Sequence, residues 1–124
     1  MRILIAAAIM AVMVYAPDAY AGGEEDLLLY SEITITVQSG GVEYEWEYKN
    51  PDRFEVEEGT SVKKGERARE EVTHLVTALS LSESPSAEDV VDVLKKEGWT
   101  DLESLRIVAL DRDRCLFSWG WKRD

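Results

Sequence analysis

Between Ser31 and Tyr48 the apolar and polar residues alternate strictly on both sides of Gly40-Gly41. Successive side chains of a strand point to opposite faces, so Ile33, Ile35 and Val37 share one side while Glu32, Thr34 and Thr36 share the other. Past the glycines, Val42, Tyr44, Trp46 and Tyr48 alternate with Glu43, Glu45 and Glu47. Two glycines suit the positive-φ positions of a two-residue hairpin turn. With them at the tip, Val37 is predicted opposite Tyr44, Ile35 opposite Trp46 and Ile33 opposite Tyr48. The same register sets Gln38 against Glu43, Thr36 against Glu45, Thr34 against Glu47 and Glu32 against Lys49. A slip of one residue would mix the two faces, so turn chemistry and pattern select one register. Leu27-Leu28-Leu29 is predicted to open this first strand, and Asn50-Pro51-Asp52 to end the hairpin. Arg53 to Glu58 continues as a short extended piece, with Phe54 and Val56 alternating with glutamates, and Gly59-Thr60-Ser61 closes it.

The period changes between about Lys64 and Leu81. Ala68, Val72, Leu75, Val76 and Leu79 fall on one helical face, with Glu66, Arg67, Glu70, His74 and Thr77 opposite. Ser82 to Pro85 interrupts this helix. Ser86, followed by Ala87-Glu88-Asp89, is predicted to cap a second helix whose buried stripe is Ala87, Val90, Val91 and Leu94. Gly98 stands where a left-handed residue ends such a helix, which brings Trp99 back onto Leu94.

Leu105 to Leu110 and Cys115 to Trp121 flank the turn-like Asp111-Arg112-Asp113-Arg114 and predict a second hairpin. A three-residue loop pairing Ala109 with Cys115 gathers Leu105, Ile107, Ala109, Cys115, Phe117 and Trp119 on one face. Cys115 is then expected as a buried, inert thiol. The other face, with Arg106, Val108, Leu110, Leu116 and Ser118, is less polar than that of the first hairpin. Trp121 is expected beyond the well-paired length and exposed to a partner. The expected fold is α+β: a single small domain in ββααββ order, a four-stranded antiparallel sheet with two helices packed on one face.

Composition adds a destination. Ile3 to Ala16 is free of charge, follows Met1-Arg2, and precedes Pro17 and the small-x-small triplet Ala19-Tyr20-Ala21, the pattern of a signal peptide over residues 1–21. Residues 22–124 are then a single exported domain, whether secreted, periplasmic or held in the cell envelope. Membrane association is expected only if the leader stays uncleaved. One cysteine allows no internal disulfide. The net charge is −11, and losing Arg2 and Asp18 with the leader leaves it unchanged. Such a chain repels nucleic acid, whose binding needs clustered cations.

Catalytic signatures are sparse. The sequence has no phosphate-cradling glycine loop, no Gly-x-Ser-x-Gly, no His-Glu-x-x-His and no paired cysteines, and nothing in it calls for a cofactor or metal. His74, the single histidine, is expected on the solvent face of the first helix. Glu43, Glu45 and Glu47 form a row of carboxylates on one strand face. Such a row, with Trp121, points to a non-catalytic interaction module. Its partner would be a basic protein, an envelope component or an enzyme to be inhibited, with the chain itself a monomer or weak homo-oligomer. Two alternatives follow from the same residues. Carboxylates about 6.5 to 7 Å apart on a strand also fit a small secreted enzyme acting on a glycan. The less polar face of the second hairpin fits a structural or assembly subunit.

Overall fold

The computed structural model describes residues 26–124, and the expected signal peptide lies outside them. The chain forms β1 (Tyr30–Ser39), β2 (Val42–Lys49), β3 (Arg53–Glu58), β4 (Ser61–Lys64), α1 (Glu66–Leu79), α2 (Ala87–Lys96), β5 (Leu102–Asp111) and β6 (Leu116–Lys122), with a short 3-10 turn at Leu81–Glu83. The strands make one antiparallel sheet of six in the order β4-β3-β2-β1-β5-β6.

The β1–β2 hairpin occupies the middle of that sheet. Its register is the predicted one, from Glu32 opposite Lys49 to Gln38 opposite Glu43. Gly40 and Gly41 have φ of 56° and 78°, the left-handed backbone that a tight hairpin turn requires. Ile35, Val37, Tyr44, Trp46 and Tyr48 are buried on the helix-facing side. Each such side chain contributes roughly 1.5–3 kcal/mol on burial, which is why this face rather than the glutamate face turns inward.

α1 lies against β2, β3 and β4, while α2 contacts α1 and β6. Ala68, Val72, Leu75, Val76 and Leu79 of α1 are all buried, as their spacing predicts. At the start of α2 the Ser86 hydroxyl accepts from Asp89 N at 3.0 Å, and Ser86 N donates to Asp89 Oδ2 at 3.2 Å. This reciprocal pair satisfies two donors that a helix start otherwise leaves open. At the other end Gly98 N donates to Lys95 O and Trp99 N to Leu94 O, with Gly98 at φ 110°. Trp99 is thereby folded back into the core, edge-on to Tyr44 at 4.7 Å and to Trp46 at 5.5 Å.

The expectation of four strands in ββααββ order is overturned, because the sheet has six strands and four of them precede the helices. β3 pairs with β2 along its length, and β4 adds to β3 as a four-residue edge. The one apolar residue of β4, Val62, is itself exposed. An edge strand held by main-chain bonds needs no buried face, so no alternation marks it in the sequence. At the N-terminal end, Leu27 is helical, Leu28 and Leu29 form a turn with Leu29 N donating to Asp26 O, and the strand begins at Tyr30.

The second hairpin has a three-residue loop, displaced by one from the predicted position to Arg112-Asp113-Arg114. Asp111 Oδ1 accepts from both Asp113 N (2.9 Å) and Cys115 N (2.8 Å), and Asp111 N donates to Cys115 O. This carboxylate fixes the turn and makes Asp111 and Cys115 the last pair. Ala109 then faces Phe117, Ile107 faces Trp119 and Leu105 faces Trp121. Cys115 sits at the loop mouth and is exposed, not buried. Trp121 is not beyond the ladder: it lies within it, half-buried against the core.

Candidate functional site

One face of the sheet is covered by α1 and α2, and the other carries the glutamates. Side chains paired across strands share a face. One row on the open side therefore runs Val62, Glu57, Glu45, Thr36, Arg106 and Gly120 from edge to edge. The next runs Lys64, Glu55, Glu47, Thr34, Val108 and Ser118. Glu45 stands directly opposite Glu57, and Glu47 opposite Glu55. Glu43 precedes them on β2 and pairs with Gln38, whose amide donates to Glu43 Oε1 at 3.5 Å.

Glu43, Glu45, Glu47, Glu55 and Glu57 thus form one patch over two neighbouring strands. Burial holds the Glu45 carboxyl above the usual carboxylate range, and the charges of Glu57, Glu47, Glu43 and Glu55 push it the same way. Cations stand at the rim, where Lys64 Nζ lies 3.9 Å from Glu55 and Lys49 Nζ 4.0 Å from Glu32. Exposed pairs at such distances contribute little, so the patch keeps its negative field. An open depression of about 200 Å³ borders it at Glu47, Glu55, Lys64 and Arg53. Among the described residues no group of three or more His, Cys, Asp or Glu side chains is placed to hold a metal ion.

Trp121 is not brought to this patch. Its strand lies beyond β1 and β5 from β2, and its side chain is on the helix-facing side. His74 also departs from the expectation of an exposed residue. Its Nε2 is 2.6 Å from Glu97 Oε1, with the imidazole 11% exposed, because the end of α2 folds against that flank of α1.

Glu55 and Glu57 complete the patch, and their signal was the alternation within Arg53–Glu58 once that segment is recognised as a full partner of β2. No local pattern in the sequence marks a cavity of about 370 Å³ at the end of the sheet. Leu28, Leu29, Leu81, Asp111, Arg112 and Phe117 are among its lining residues, drawn from three segments distant in the chain. Comparisons with protein-family models, with curated proteins and with solved structures find no match to this chain.

Proposed function

We propose that this chain is an exported, non-catalytic binding module that engages a cationic partner, such as a basic protein surface or an envelope component. The contact surface is the open face of β2 and β3, with Glu43, Glu45 and Glu47 at its centre and Glu55 and Glu57 beside them. The observation that carries this reading is the direct opposition of like charges, Glu45 to Glu57 and Glu47 to Glu55. Opposed like charges destabilise a sheet by about 0.2–1 kcal/mol per pair. Solubility alone does not require them to be gathered, since exposed glutamates elsewhere, such as Glu66, Glu70 and Glu88, serve it without that cost. A cationic partner offsets the repulsion on binding.

The test compares two triple variants of equal charge change. E43Q/E45Q/E47Q neutralises the patch, and E66Q/E70Q/E88Q neutralises exposed helix positions. Calorimetric titration with oligolysine at several salt concentrations is expected to show binding that weakens with salt. The patch variant should lose most of it, while the helix variant keeps it. Equal losses in the two variants would mean that net charge alone attracts the peptide, and the proposed surface would be wrong.

A further inference from the structure

The two edges of the sheet are unlike. β4 is four residues long and carries Lys63 and Lys64, features that discourage further pairing. β6, Leu116–Lys122, contains no proline, and its one charge is Lys122 at its end. Its pairing with β5 fixes where its main chain points. Asp111 N donates to Cys115 O and Arg123 N to Glu103 O, so the odd-numbered residues turn their N–H and C=O groups to β5. Leu116, Ser118, Gly120 and Lys122 aim theirs away from the sheet. All are exposed, Leu116 at 67%, and Phe117 on the other side is 41% exposed.

We propose that β6 is the pairing edge of a two-fold symmetric dimer. β6 of a second copy of this chain adds antiparallel to it about Trp119, joining the two sheets into one. Three features favour a second copy in this register. Outward-facing residues meet outward-facing residues, Ser118 with Gly120 and Leu116 with Lys122, whereas a shift of one residue between the strands would set free groups against used ones. The whole of β6 is covered, with Phe117 facing Trp121 on the helix side. Charge is complementary: the Arg114 turn of each copy comes to the Asp124 end of the other, whereas centring on Ser118 would bring Arg114 to Lys122.

The five patch glutamates, part of the overall charge of −11, lie far from this contact. The acidic patches begin at β2, three strand spacings from the joined edges on each side. At the usual strand spacing they are about 34 Å apart in the dimer, several times the Debye length of roughly 8 Å at physiological salt. Trp121 takes part in the dimer from the helix side, independently of what the acidic patch binds.

The test is sedimentation of the purified protein over a range of concentrations, with three variants. G120P removes an outward N–H, at a position where an added Cβ meets nothing within 4 Å, and is expected to weaken the dimer about tenfold or more. L116K sets a lysine across from Lys122 of the second copy and should also weaken it, while L116K/K122E should restore it. A nitroxide on Cys115 supplies the geometry, because the two labels sit eight residues apart along the joined strands and their backbones about 26 Å apart. If G120P does not fold, the Leu116 and Lys122 pair and the label distance decide. A monomer at every concentration, a dimer indifferent to L116K, failure of the double variant to recover, or a label distance incompatible with this register would overturn the proposal.

Discussion

Glu45 and Glu57 face each other directly across β2 and β3 on the uncovered side of the sheet. Glu45 is also flanked along its own strand by Glu43 and Glu47. Burial, followed by the charges of Glu57, Glu47, Glu43 and Glu55, raises its pKa above the ordinary value of 4.5. The folded state therefore binds the Glu45 proton more tightly than the unfolded chain does. Stability from this group increases as pH falls through the raised folded value, and the gain is complete below the unfolded one. E45Q should be more stable than the parent at neutral pH by about 0.2–1 kcal/mol, with the difference shrinking towards pH 5. Urea unfolding of both proteins across that range checks the sign. A difference that grows on acidification would contradict it.

The end of α2 makes a second prediction. Gly98 has φ 110°, where a side chain is strained, and Trp99 beyond it is 3% exposed. G98A should cost about 1–3 kcal/mol through backbone strain alone. W99A should cost about 3–5 kcal/mol, because it empties the space the indole fills edge-on against Tyr44 and Trp46. The indole Nε1 of Trp99 has no hydrogen-bond partner in the described structure, so W99F leaves no acceptor unpaired and should fall well below W99A. Denaturant midpoints at constant m-value would rank the three.

Cys115 tests the corrected turn. Asp111 Oδ1 accepts the Cys115 N–H, and this holds the residue at the loop mouth with its thiol exposed. A thiol reagent should modify native Cys115 at a rate within about tenfold of the unfolded chain, whereas a core cysteine would be protected by the whole unfolding free energy. D111N weakens the acceptor that sets this turn and should loosen the β5–β6 loop without touching the core.

These cases show what is legible in a sequence. The β1–β2 register was, because burial on one face and the Gly40-Gly41 turn demand the same pairing. The stripe of α1 and both ends of α2 were legible for the same reason, since each is written in local spacing or local hydrogen bonding. β4 was not, because four residues with one exposed valine hold by main-chain bonds that any sequence supplies. The one-residue shift of the second hairpin came from the Asp111 carboxylate, and face segregation cannot detect it because odd residues stay with odd residues. Trp121 and Cys115 exchanged their expected environments through that shift. His74 was misplaced because helical spacing describes one helix and is blind to Glu97 arriving from another. Of the acidic patch, the row on β2 was readable and its doubling by β3 depended on a pairing that only the full sheet defines.

Thr34 offers a separation of stability from binding. It stands across β1 and β2 from Glu47, with Val108 on its other side, so a lysine there gains a carboxylate neighbour, and Lys64 in the same row is three strands away. T34K should stabilise the fold by about 0.2–1 kcal/mol through this cross-strand pair, less whatever strand preference the threonine supplied. If the patch is the contact surface, the same change should weaken oligolysine binding by about three- to tenfold, because it places a cation one strand spacing from Glu47 and within about a Debye length of Glu45. A protein stabilised by T34K yet unaltered in binding would mean that the glutamates serve solvation only. A stabilised protein that binds less well would place the cost of the opposed carboxylates on the side of function. Chemical denaturation and calorimetry on one preparation of each protein give both numbers.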